Sequence, residues 1–177
     1  MYQEDYLLRL IQQLAAFAAQ IIGLNQKGEY DQALAVADQA WGKLLEDTPR
    51  ALIDAVDTST LAGMLREPAK IRAAAQLFVE EGRALVGKGD PQRAAARFRR
   101  AMELIFEARA LEPTGQAPAR RDSTSSIDPR KPGSSKPGPS KQDPSKQDPS
   151  KQDEELLREL SRVVPVETLA PRYRART

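Results

Sequence analysis

Arg93, Arg97 and Arg100 recur at three- and four-residue spacing, so on a helix they share a face that could grip an acidic peptide or a row of phosphates. Glu103 and Glu107 continue that face, and no aromatic side chain is interleaved for stacking on bases. A solvated surface is therefore the simpler reading. A second cluster, Asp5, Tyr6 and Arg9, falls within one helical turn. There Arg9 can fork onto a carboxylate while Tyr6 stacks or donates a hydrogen bond. Asp5 and Arg9 are equally spaced as an ordinary surface pair, worth about 0.3–0.5 kcal/mol. Trp41, the single tryptophan, would anchor a partner if exposed, but it lies in an apolar helical stripe that reads as core. Leu156, Leu157 and Leu160 give a C-terminal segment one apolar side, with Arg158 and Arg162 on the other.

Catalytic chemistry finds little to use. The 177 residues include no Cys and no His, which excludes thiolate catalysis, disulfides, Cys-bound zinc and imidazole bases. Serine and threonine thus have no histidine to activate them. Gly87-Lys88-Gly89-Asp90 lacks the Gly-Lys-Ser/Thr ending and the preceding strand of a phosphate loop. The expectation is a non-enzyme without metal or cofactor.

The elements that must position these residues are helices. Leu7, Leu10, Leu14, Phe17, Ile21 and Leu24 follow one helical stripe over residues 3–26, with Leu8, Ile11, Ala15, Ala18 and Ile22 beside it. So wide a stripe suggests burial on two sides, the second against another copy of the chain, and hence a homodimer through the first helix. Gly28 supplies the left-handed stop. A second helix covers 30–45, and Thr48-Pro49 and Asp57 to Ser59 open two short ones. Glu67-Pro68 and Asp90-Pro91 open two long helices, the last burying Ala94, Phe98, Ala101 and Ile105. No stretch alternates apolar and polar residues over strand length, so the fold class is all-α.

Aligning Gly28 with Gly89 places Phe17 on Phe78, Ala33 on Ala94, Ala37 on Phe98 and Ala40 on Ala101. Small residues where two helices cross, joined by a tight turn, fit an antiparallel pair repeated twice. The second pair resembles a tetratricopeptide repeat: Gly82 and Ala94 sit at the small crossing positions, Gly89-Asp90 at the turn, and Phe98 and Ala101 along the second helix. The first pair has Ile21 where that early glycine belongs, and neither has the closing proline. A generic four-helix bundle is the alternative. The opening Met1-Tyr2-Gln3-Glu4-Asp5-Tyr6-Leu7-Leu8-Arg9, with Gly28-Glu29-Tyr30 after it, also resembles a domain-of-unknown-function family of small bacterial proteins. That resemblance covers residues 1–112. It implies a tetratricopeptide-like fold and a bacterial source, and no activity.

Residues 113–153 read as a disordered linker, because Ala117, Ala119 and Ile127 are their sole apolar side chains and Lys-Gln-Asp-Pro-Ser repeats from Lys141 and Lys146. Residues 154–177 read as a short amphipathic helix with a basic end. The helical domain of 1–112 carries 14 Lys/Arg against 16 Asp/Glu, and the rest 13 against 9, too balanced for a dedicated nucleic-acid binder. Arg9, Gln12, Gln13 and Gln20 interrupt the most apolar stretch, which argues against membrane insertion, and the acidic start argues against a signal peptide. The expected location is cytoplasmic. Together these features suggest a scaffold or adaptor: a helical domain that binds a protein or peptide, with a tethered C-terminal docking motif. The second reading is a weak nucleic-acid or anionic-surface binder using the basic tail and the three helix arginines.

Overall fold

The computed structural model describes residues 2–46, 48–112 and 149–175. Among them are eight α-helices and no strand: α1 (Tyr2–Lys27), α2 (Tyr30–Leu44), α3 (Arg50–Ala55), α4 (Thr58–Leu65), α5 (Pro68–Gly87), α6 (Pro91–Leu111), α7 (Pro149–Leu160) and α8 (Pro171–Arg174). The all-α expectation holds. Most of the expected linker, residues 113–148, lies outside the described residues. Its last five residues do not behave as linker: α7 begins at Pro149, not at Glu154. A proline that would break a helix interior is well placed in a first turn, where its missing N–H has no partner to lose.

Two helix pairs form the frame, and the same turn closes both. Gly28 and Gly89 take φ of +77° and +79°, which an L side chain resists. The N–H of Glu29 donates to the Leu24 carbonyl at 2.9 Å, and that of Asp90 to the Leu85 carbonyl at 2.9 Å. These bonds reach back five residues and satisfy carbonyls left open at the helix ends. On the second helix of each pair, Ala33, Ala37 and Ala40 are buried like Ala94, Phe98 and Ala101. The two pairs thus share a turn geometry and a set of buried positions on their second helices.

Small residues let the helices close up. A Cβ at Gly82 would run into the Phe98 ring, and one at Gly87 into the Tyr30 ring. Gly82→Ala is thus expected to destabilise by about 1–3 kcal/mol, the usual cost of overpacking, measured by urea unfolding. Gly63→Ala, with nothing near its Cβ, serves as the control.

The contact of Tyr30 with Gly87 sets the start of α2 against the end of α5. The Asn25 side-chain amide, near the end of α1, donates to the Glu80 carbonyl at 3.1 Å, so α1 and α5 end on the same side. Asp5–Lys27 within α1 is long and apolar enough to cross a membrane by length and composition alone, with mean hydropathy 1.5. Leu10, Leu14 and Ile21 on that helix are buried in the core, while Leu8 stays 61% exposed. The short helices α3 and α4 sit between the pairs. Asp57 caps α4 by accepting from the N–H groups of Ser59 and Thr60 at 3.0 and 3.2 Å, and the hydroxyls of the same two residues, each donating at 2.6 Å, do most to hold its carboxyl below the usual range.

Candidate protein-binding groove and its C-terminal wall

Between α1 and α5 runs a groove of about 520 Å³. Ala69, Ala73 and Gln76 of α5 line it, together with Ile11, Leu14, Ala15 and Ala18 of α1. Alanines at one-turn spacing leave the groove shallow and apolar. Its far wall comes from α7, through Asp153, Glu155, Leu156 and Glu159. The groove therefore depends on where the C-terminal segment sits.

That segment is seated by charge at its edges and by apolar anchors beneath. Nε and one Nη of Arg72 grip the Asp153 carboxylate at 2.8–3.0 Å, and Asp153 is only 2% exposed. Burial alone would lower the Arg72 pKa, but Asp153 and Glu112 hold the guanidinium above its ordinary value. Arg83 pairs with Glu159 at 2.5 Å and Arg109 with Glu154 at 3.6 Å. Leu160, Val164, Leu169 and Tyr173 are all buried in the main core. Tyr173 stacks on Phe106 with ring centroids 6.1 Å apart, and its hydroxyl donates to Glu107 at 2.5 Å. The Ala170 N–H donates to Glu103 at 3.0 Å.

These contacts correct the sequence reading of the α6 polar face. Glu103 is buried, accepting from the Thr58 hydroxyl at 2.6 Å as well as from Ala170, and Glu107 is half-buried under Tyr173. Arg100 is buried too, and donates to the carbonyls of Ile53, Asp54 and Val56 at 2.9, 3.1 and 2.8 Å. It thereby satisfies the open C-terminal carbonyls of α3. Burial, and then repulsion from Arg97, pushes its pKa down. Arg97 binds Asp54 at 2.5 Å and Glu81 at 3.1 Å. Of the three arginines only Arg93 is exposed, 3.6 Å from Asp90. The face is covered because α3, α4 and the C-terminal segment, all distant in sequence, pack over it. It is neither a solvated surface nor an open cationic one.

The carboxylate that organises this region is Glu81, which sequence reasoning missed. It accepts from the Trp41 indole N–H at 2.7 Å and from Arg50 at 2.6 Å, with Arg97 alongside. Burial pushes its carboxyl upward, opposed by the two guanidiniums. Arg50 lies over the Trp41 ring at 4.9 Å, and Trp41 tilts onto Phe78 at 4.7 Å. Trp41 is core, as its stripe suggested.

Asp5, Tyr6 and Arg9 are all exposed, and no hydrogen bond or ion pair joins them to one another. Adjacent helical residues such as Asp5 and Tyr6 point about 100° apart, so the expected cluster does not close. Of the three leucines, Leu160 is buried, and Leu156 and Leu157 are half-buried against the core. They hold this chain's own segment in place. Residues with no signal of their own in the sequence, Arg72, Arg83, Asp153, Glu159 and Tyr173, make the contacts that matter here. Compared with protein-family models, curated proteins and solved structures, the chain matches none of them.

Proposed function

We propose that the chain is a non-enzymatic helical interaction module, a scaffold or adaptor, whose groove between α1, α5 and α7 holds a segment of a partner protein. The observation that carries this reading is the groove itself: apolar side chains of α1 and α5, from Ile11 to Ala18 and at Ala69 and Ala73, with Arg72, Arg83, Asp153, Glu155 and Glu159 beside them. Such a site offers apolar pockets for alternate side chains and polar edges for orientation. The repeated turn at Gly28 and Gly89 supports a tetratricopeptide-like arrangement in which α1 and α5, the first helices of each pair, line the binding face. A chain without His or Cys also suits binding better than catalysis. The nucleic-acid alternative is weaker, since Arg97 and Arg100 are engaged by Asp54, Glu81 and the α3 carbonyls.

Selection of a displayed peptide library against the full chain tests the proposal. Peptides with apolar residues at regular spacing are expected to be enriched. Ala15 lines the groove and is exposed, so Ala15→Glu leaves the fold intact but sets a carboxylate where apolar side chains must dock. Binding of the selected peptides should fall about tenfold or more, measured by fluorescence anisotropy. Unchanged affinity in Ala15→Glu, or no enrichment at all, would contradict the reading.

A further inference from the structure

The surface beneath the C-terminal segment has the make-up of a binding interface. Three arginines on the helical domain, Arg72, Arg83 and Arg109, meet three acids on the segment, Asp153, Glu159 and Glu154. In these three pairs the cation is on the domain, while a fourth, between Arg172 of the segment and Asp57 of the domain at 3.4 Å, runs the other way. From Leu160 onward the segment inserts four apolar anchors, Leu160, Val164, Leu169 and Tyr173, each at most 2% exposed, as is Asp153. Glu103 and Glu107 of α6 add two polar contacts, taking the Ala170 N–H and the Tyr173 hydroxyl. Apolar anchors combined with complementary charge pairs are the make-up of a protein–protein contact. In sequence, residues 113–148 separate the segment from the helical domain and include three apolar side chains, Ala117, Ala119 and Ile127.

We propose that this surface is a receptor site for an external protein segment of the same chemistry, an acidic amphipathic helix followed by a tail bearing aliphatic residues and a tyrosine, and that residues 149–175 are its built-in competitor. The site goes beyond the groove proposal: it shares Arg72, Arg83, Asp153 and Glu159 with the groove lining, but it is the surface that the C-terminal segment itself covers. Covalent attachment gives the resident segment a local concentration in the millimolar range, so an outside ligand competes at a disadvantage of about 10²–10⁴-fold. Severing the connection removes that disadvantage while leaving the receptor surface unchanged.

The test uses the full chain with a protease recognition sequence inserted after Gly133, and a fluorescent peptide of residues 149–175 as probe. Before cleavage the peptide should bind weakly. After cleavage it should replace the released fragment and bind about 10²–10⁴-fold more tightly. Arg72→Glu in the cleaved chain should weaken binding at least tenfold, and a peptide carrying Asp153→Arg should restore it. Equal binding before and after cleavage would place the peptide elsewhere and overturn the proposal. So would a cleaved chain that stays folded by circular dichroism yet takes up no peptide, because the segment would then be fixed core. Unfolding on cleavage, or failure of the reversed charge pair to rescue, would have the same force.

Discussion

Glu81→Ala is expected to lower the unfolding free energy by about 3–5 kcal/mol, the range for removing one member of a buried ion pair. Glu81 is 2% exposed and is shared by Arg50, Arg97 and the Trp41 indole. Removing it leaves Arg50 and Arg97 sharing Asp54, with the exposed Asp38 at 3.6 Å from Arg50, and strands the indole N–H in the core. The Arg50 Nη1 atom already lacks a partner there, so little slack exists to absorb the loss. Urea unfolding of the variant against Arg93→Ala, an exposed arginine of α6, measures the effect. Arg93→Ala should stay within about 0.5 kcal/mol of the parent. A loss under about 1 kcal/mol for Glu81→Ala would mean that water reaches the cluster.

Tyr173→Ala is expected to remove up to about 3–5 kcal/mol, the cost of deleting a fully buried aromatic side chain. The loss cannot exceed the free energy that seats the C-terminal segment, because beyond that point the segment simply lifts away. Hydrogen exchange distinguishes the two regimes: lifting would deprotect the amides of 160–164 while those of α6 stay slow. The phenol also predicts a pH dependence. Burial, and then the bond to Glu107, raises the Tyr173 pKa above its ordinary value of 10.0. A folded-state pKa above the unfolded one means that the folded chain holds the proton more tightly. The stabilisation is therefore complete below about pH 10 and fades as pH rises through the folded value. Tyr173→Phe should lose that alkaline dependence while keeping the stacking on Phe106.

Much of the frame is legible in the sequence because its signals are local. Gly28, Asp57, Glu67-Pro68 and Asp90-Pro91 mark helix ends through their own backbone preferences, and each lies at a helix end in the structure. The stripe of Leu10, Leu14 and Ile21 likewise depends only on helical period. What escapes is any burial imposed from far along the chain. Arg100 and Glu103 look like solvent-facing residues on α6 until Ile53, Thr58 and Ala170 are placed over them. Asp153 reads as linker because its partner, Arg72, is distant in sequence and has a polar type suited to any surface. The groove was hidden for the same reason. Its walls are drawn from α1, α5 and α7, and no single stretch carries its pattern.

The groove wall and the receptor contact both require residues 149–175 to be seated on the helical domain, and a distance measurement between spin labels tests this directly. The chain has no cysteine, so Gln92→Cys and Arg158→Cys, both at exposed positions, can be labelled without background. Double electron–electron resonance on the full chain should give one narrow distance between α6 and α7 under native conditions. A broad distribution under native conditions would place the segment off the surface and remove both the groove wall and the receptor contact described here.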